Sequence, residues 1–124
     1  MANILLVDDN TTLLKLQGEF LRRAGHRVVA VDNGMEAMRL VQANPFDLVL
    51  TDLIMPEKEG IEIIMELRRK FPALKIIAMS GGGRASATDY LAIARKIGAT
   101  QTLAKPFTGE ELLGVVNTIL AEAS

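Results

Sequence analysis

Five polar side chains in this 124-residue sequence stand where short apolar runs stop. Asp8 and Asp9 follow Ile4-Leu5-Leu6-Val7, and Asp52 follows Leu48-Val49-Leu50-Thr51. Ser80 follows Leu74–Met79, and Lys105 follows Thr100–Ala104. Gathered in one place, three carboxylates repel one another, and a single ammonium cannot balance them. A divalent cation can. With oxygen donors and neither His nor Cys among them, the set selects a hard ion such as Mg²⁺. A hard dication beside a carboxylate, a hydroxyl and a lysine is the equipment of phosphoryl transfer. The cation neutralises phosphoryl oxygens, Ser80 and Lys105 contact others, and the Asp52 carboxylate is the nucleophile of an aspartyl-phosphate.

That gathering requires a particular scaffold. Residues 3–7 form a continuous apolar run, the pattern of a strand covered on both faces. From Thr11 the period changes to that of a helix, with Leu13, Leu16, Phe20 and Ala24 as the expected inner face and Gly25 as the stop. Arg27–Val31 is a second strand. Asp32-Asn33-Gly34 turns into a second helix, with Ala37, Leu40 and Val41 inward, broken at Asn44-Pro45. Asp47–Thr51 repeats the first pattern. Met55-Pro56 and Gly60 bracket a loop, and residues 61–71 are helical through Ile61, Ile64, Met65 and Leu67. Leu74–Met79 is a fourth strand, Ala85–Ile97 a fourth helix through Leu91, Ala94 and Ile97, Thr100–Ala104 a fifth strand, and Glu110–Ala121 a last helix. Five strands alternating with five helices give an α/β parallel sheet with helices on both faces. All strand carboxyl ends then share one edge, and ligands bind outside that edge where the strand order reverses.

Bulk composition excludes several other classes. The chain is long enough for one domain with its own core. Fourteen Lys and Arg against fifteen Asp and Glu leave a net charge of −1, which gives no electrostatic case for nucleic acid. The basic run Arg68-Arg69-Lys70 complements a helix carboxyl end. The absence of Cys excludes disulfides and thiolate sites and fits a reducing compartment. No apolar run has the length of a membrane span, and the start lacks a signal-peptide pattern, so the expected location is cytoplasmic. His26 reads as an exposed structural residue in a surface turn; Met35, Met38, Met65 and Met79 read as core filler. Tyr90 falls near the start of the fourth helix, as surface packing or part of a partner face.

The stretches "LLVDDN" (5–10), "DLVLTDLIMPEKEG" (47–60), "IIAMSG" (76–81) and "LAKPF" (103–107) occur in an order that resembles the receiver domains of two-component response regulators, over the whole chain. The resemblance implies a flavodoxin-like, doubly wound fold with strand order 2-1-3-4-5. It implies Asp52 as phosphoacceptor, Asp9 as direct Mg²⁺ ligand, Asp8 as an acidic neighbour acting through water, and the Ile54 backbone carbonyl as a further ligand. Ser80 matches the switch hydroxyl and Lys105 the lysine that pairs with the phosphoryl group, with a cis Lys105-Pro106 bond. It implies a histidine kinase or phosphotransfer protein as donor and a downstream partner on the fourth helix, fifth strand and fifth helix. Nucleic acid and membrane are not among the implied partners. The sequence departs from the pattern at Thr102, where many receivers carry an aromatic switch residue, which points to a readout by backbone and helix shifts. Ile54 and Gly82 offer little help to an attacking water, which points to slow self-dephosphorylation, and "SGGGRASATDYL" (80–91) is a long glycine-rich approach to the fourth helix. With no room for an output domain after Ser124, the expectation is a stand-alone receiver. Three alternatives remain at this point: a Mg²⁺-dependent hydrolase with an Asp nucleophile, which typically carries a second Asp where Ile54 stands; an interaction module working without phosphate; and a receiver excised from a longer regulator.

Overall fold

A computed structural model describes residues 2–53, 60–80 and 87–121. In chain order the elements are β1 (Asn3–Val7), α1 (Thr11–Arg23), β2 (Arg27–Val31), α2 (Gly34–Ala43), β3 (Leu48–Asp52), α3 (Gly60–Lys70), β4 (Lys75–Ser80), α4 (Ala87–Ile97), β5 (Gln101–Ala104) and α5 (Gly109–Ala121). The strands form one sheet in the order β2-β1-β3-β4-β5, and every pair is parallel. The order reverses between β1 and β3, so the carboxyl ends of these two strands flank the switch point.

Strand periodicity divides the core in two. Leu5, Val7, Val49, Ile76 and Ala78 point to one face, where they pack with Ala37, Val41, Ile63, Ile64, Leu67 and Ala94 of α2, α3 and α4. Ile4, Leu6, Leu48, Leu50, Ile77 and Met79 point to the other, against Leu14 and Leu21 of α1 and Leu112, Val116 and Ile119 of α5. β1 and β3 therefore read as unbroken apolar runs because neither face meets water.

The helices start on local signals. The side chains of Asn10 and Asn33 accept hydrogen bonds from Leu13 N–H (3.1 Å) and Glu36 N–H (2.8 Å). At α5, Thr108 and Glu111 exchange side-chain to backbone bonds of 3.0 and 2.9 Å, a reciprocal capping box. Gly25, at φ 97°, ends α1 in the left-handed region, as its place after the periodic stretch predicts.

Several expectations are corrected. The inner face of α1 is Leu14, Gln17, Gly18 and Leu21, one residue round from the expected stripe, and Leu16 is 58% exposed. A Cβ at Gly18 would meet the Arg22 guanidinium at 3.3 Å, and Leu13, Leu16 and Phe20 line a groove with Phe107, Gly109 and Leu112. Met38 and Met79 are core residues, but Met35 and Met65, on the outer sides of α2 and α3, are 68% and 53% exposed. His26 is structural but half-buried: its Nδ1 accepts from Ala2 N–H (3.3 Å). Burial, and then the nearby positive amino terminus, hold its imidazole below the usual pKa. The proposed roles of Ile54, Met55, Gly82 and the glycine run, and the helix start at Ala85, lie outside the described residues, as do the side chains of Tyr90 and Leu91. No helix among the described residues is long and apolar enough to cross a membrane.

Leu50 sits fully buried in the central strand. Leu50→Ala should lower unfolding free energy by about 3 kcal/mol, read as a reduced urea midpoint with an unchanged slope.

Candidate functional site

The sheet delivers the sequence-selected side chains to one edge. Asp8 follows β1, Asp52 closes β3, Ser80 closes β4 and Lys105 follows β5. Carboxylate oxygens of Asp8, Asp9 and Asp52 all lie within 4.8 Å of one another. Lys105, 97 positions from Asp8, reaches the same point and donates from Nζ to Asp8 Oδ2 at 2.6 Å. The same Nζ stands 3.6 Å from Asp52 Oδ2. The backbone places it there: Lys105 N–H donates to Ser80 O (2.8 Å), which ties the end of β5 to the end of β4. The Lys105-Pro106 peptide is cis, as the resemblance implies.

The three acids occupy different environments. Asp8 is wholly buried, with Oδ1 accepting from Asn10 N–H (3.0 Å) and Oδ2 from Lys105. Asp9, the next residue, is exposed. Asp52 is only 8% exposed, with its carboxylate at the mouth of the cluster. Ser80 is fully buried, and its Oγ has no hydrogen-bond partner among the described residues. A buried hydroxyl without a partner costs roughly 1–3 kcal/mol, and this one closes β4 at the same sheet edge, where an added acceptor would relieve it. Thr102 is half-buried on β5, opposite Ala78 of β4.

Charge balance tests the fit of a cation. Three carboxylates make three repulsive pairs, while Lys105 contacts two of them. At ~4 Å and an effective dielectric constant near 20, each unit-charge pair is worth roughly 4 kcal/mol, so the ammonium alone leaves the cluster short. A dication among the same oxygens doubles every attraction. The donor set is all oxygen with no His or Cys, and its few carboxylates suit Mg²⁺ with retained waters. Asp8, Asp9 and Asp52 would hold it.

A doubly wound parallel sheet with an acidic cluster at its switch point, a lysine from β5 and a hydroxyl from β4 matches the arrangement that the sequence resemblance implies. The family model of the response regulator receiver domain matches residues 4–117, and the chain belongs to that family. It is 32% identical to the response regulator receiver protein CpdR of Brucella abortus, over 99% of this chain and 100% of that protein. The structure of a receiver domain protein from Clostridium thermocellum superposes with a TM-score of 0.90 at 30% identity, covering 98% of this chain and 96% of that one. The response regulator protein TrrA of Thermotoga maritima, solved in complex with Mg(2+)-BeF, gives 0.85 at 29% identity over 96% and 99%. The chain spans about a quarter of the length of several transcriptional regulators that it also matches.

Because both Asp8 oxygens already accept hydrogen bonds and Asp9 is open to solvent, the two should differ in metal binding. In a calorimetric Mg²⁺ titration, Asp9→Ala should weaken affinity by on the order of 100-fold and Asp8→Ala by about tenfold. Equal or reversed losses would contradict this assignment.

Proposed function

We propose that this receiver domain accepts a phosphoryl group on Asp52, from a histidine kinase or a histidine phosphotransfer protein, and thereby changes its affinity for a partner. The observation that carries the reading is the convergence of Lys105 on Asp8 and Asp52, at the sheet edge where β4 ends in a buried Ser80 whose hydroxyl has no partner among the described residues. An Asp52 oxygen attacks the phosphorus of the donor's phosphoimidazole; the O–P bond forms, the N–P bond breaks, and the imidazole leaves with the electron pair and takes a proton from water. A bound Mg²⁺ supplies charge neutralisation on the phosphoryl oxygens. Asp9 and Asp52 would hold that cation directly, with the Ile54 carbonyl proposed as a further ligand, and Asp8 would act through water. Lys105 and Ser80 donate to phosphoryl oxygens. The groove between α1 and α5, with Lys105 at one end and Leu13, Leu16 and Phe20 along its wall, offers apolar surface beside the site for a donor to press against.

The phosphoryl group adds charge at the β3 end and gives Ser80 a strong acceptor, which favours a second arrangement of the β4 and β5 ends. The partner would read that change on α4, β5 and α5. With Thr102 rather than an aromatic on β5, the readout rests on backbone and helix shifts. Slow loss of the phosphoryl group, and a cytoplasmic location, complete the proposal.

Incubation with Mg²⁺ and a small acyl phosphate should add one phosphoryl mass, stable in acid and labile in base. Asp52→Asn should abolish the adduct; no adduct in the wild type, or an undiminished one in the variant, would overturn the reading.

A further inference from the structure

Arg68, in the last turn of α3, is spent on two carbonyls outside its own helix. Its Nε and Nη2 both donate to Gly98 O, at 3.1 and 2.7 Å, and its Nη1 donates to Pro72 O at 2.6 Å. Gly98, immediately after α4, has φ 126°, where a side chain is strained. A Cβ there would also stand 2.9 Å from Arg68 Cγ and Nε. The glycine thus opens both the turn and the seat for the guanidinium.

The chain beyond this clamp is fastened as well. Ala99 N–H donates to Ala94 O (2.9 Å) and Thr100 N–H to Ile76 O (2.7 Å). Ile76 N–H donates in return to Thr100 Oγ1 (3.1 Å). The carboxyl ends of α3 and α4 are therefore tied to one another and to β4. Their amino ends stand in the opposite relation to the site: α3 follows Asp52 in the chain and α4 follows Ser80.

The geometry points to Arg68 and Gly98 as a fixed post about which α4 turns when the site is charged, so that the phosphoryl state is expressed at the amino end of α4. This rests on the phosphoacceptor reading of Asp52. An eleven-residue helix is about 16 Å long, so a displacement of ~2 Å at the amino end rotates it by roughly 7°. Without the post, the same displacement would translate the helix and carry the α4–β5 junction with it. Arg68 is a positioning residue in this scheme and touches no reacting atom.

Amide hydrogen exchange on the full chain, with and without acyl phosphate and Mg²⁺, tests the scheme. In the wild type, phosphorylation should change exchange at Ala87–Tyr90 and leave Arg95–Thr100 within twofold. Arg68→Ala should still gain the phosphoryl mass at a rate within twofold of wild type, but its exchange change should extend to Arg95–Thr100. Arg68→Lys, which can reach only one carbonyl at a time, should be intermediate and provides a second variant if the alanine form does not fold. A change confined to Ala87–Tyr90 in both variants, or one already spread to Arg95–Thr100 in the wild type, overturns the post alone. Absence of the adduct in the wild type overturns the phosphoacceptor reading and the post with it.

Discussion

Three carboxylate groups held within 4.8 Å, at the rim of a sheet covered on both faces, repel one another, and a lysine brought from the far end of the chain offsets only part of that repulsion. That Lys105–Asp8 contact closes the whole topology. It spans the ends of β1 and β5, which the observed order separates by β3 and β4, and it forms at one edge because these strands run the same way. An antiparallel strand would send its terminal residue to the opposite edge. The two apolar clusters on either face of the sheet hold this register, because shifting a strand by one residue would turn its side chains to the wrong layer. The core thus holds three like charges together at one edge, which on the proposed function a dication would neutralise before a negatively charged phosphoryl group could be accepted there.

Burial makes chemically identical residues unequal. Asp8 and Asp9 are adjacent, yet one is sealed and hydrogen-bonded through both oxygens while the other faces solvent. Ser80 is buried with its hydroxyl unpartnered among the described residues, a local cost at a place where an incoming acceptor would remove it.

The strands and the strand-end residues were legible because a parallel strand covered on both faces leaves an unmistakable run, and its last residue must emerge at the functional edge. Asp52 and Ser80 are themselves the closing residues of β3 and β4, one position inside the expected boundary. The face of α1 was misread because hydrophobicity alone favoured Leu13, Leu16 and Phe20, whereas the buried face also takes the small Gly18 and the polar Gln17, which carry no apolar signal. Met35 and Met65 show the same limit: an apolar residue on a helix need not face the core. Arg68 was assigned to the end of its own helix, and its Pro72 bond agrees. Its grip on Gly98, thirty residues away, left no trace in local pattern and needed the fold to be seen.

The most direct measurement is a crystal structure of the chain with Mg²⁺ and beryllofluoride. The account predicts beryllium bonded to an Asp52 oxygen, Mg²⁺ against Asp9 and Asp52, and Lys105 Nζ and Ser80 Oγ both within hydrogen-bond distance of fluorines. A structure with beryllofluoride absent from Asp52, or bound there while Ser80 Oγ stays unpartnered and Lys105 remains on Asp8 alone, would contradict it.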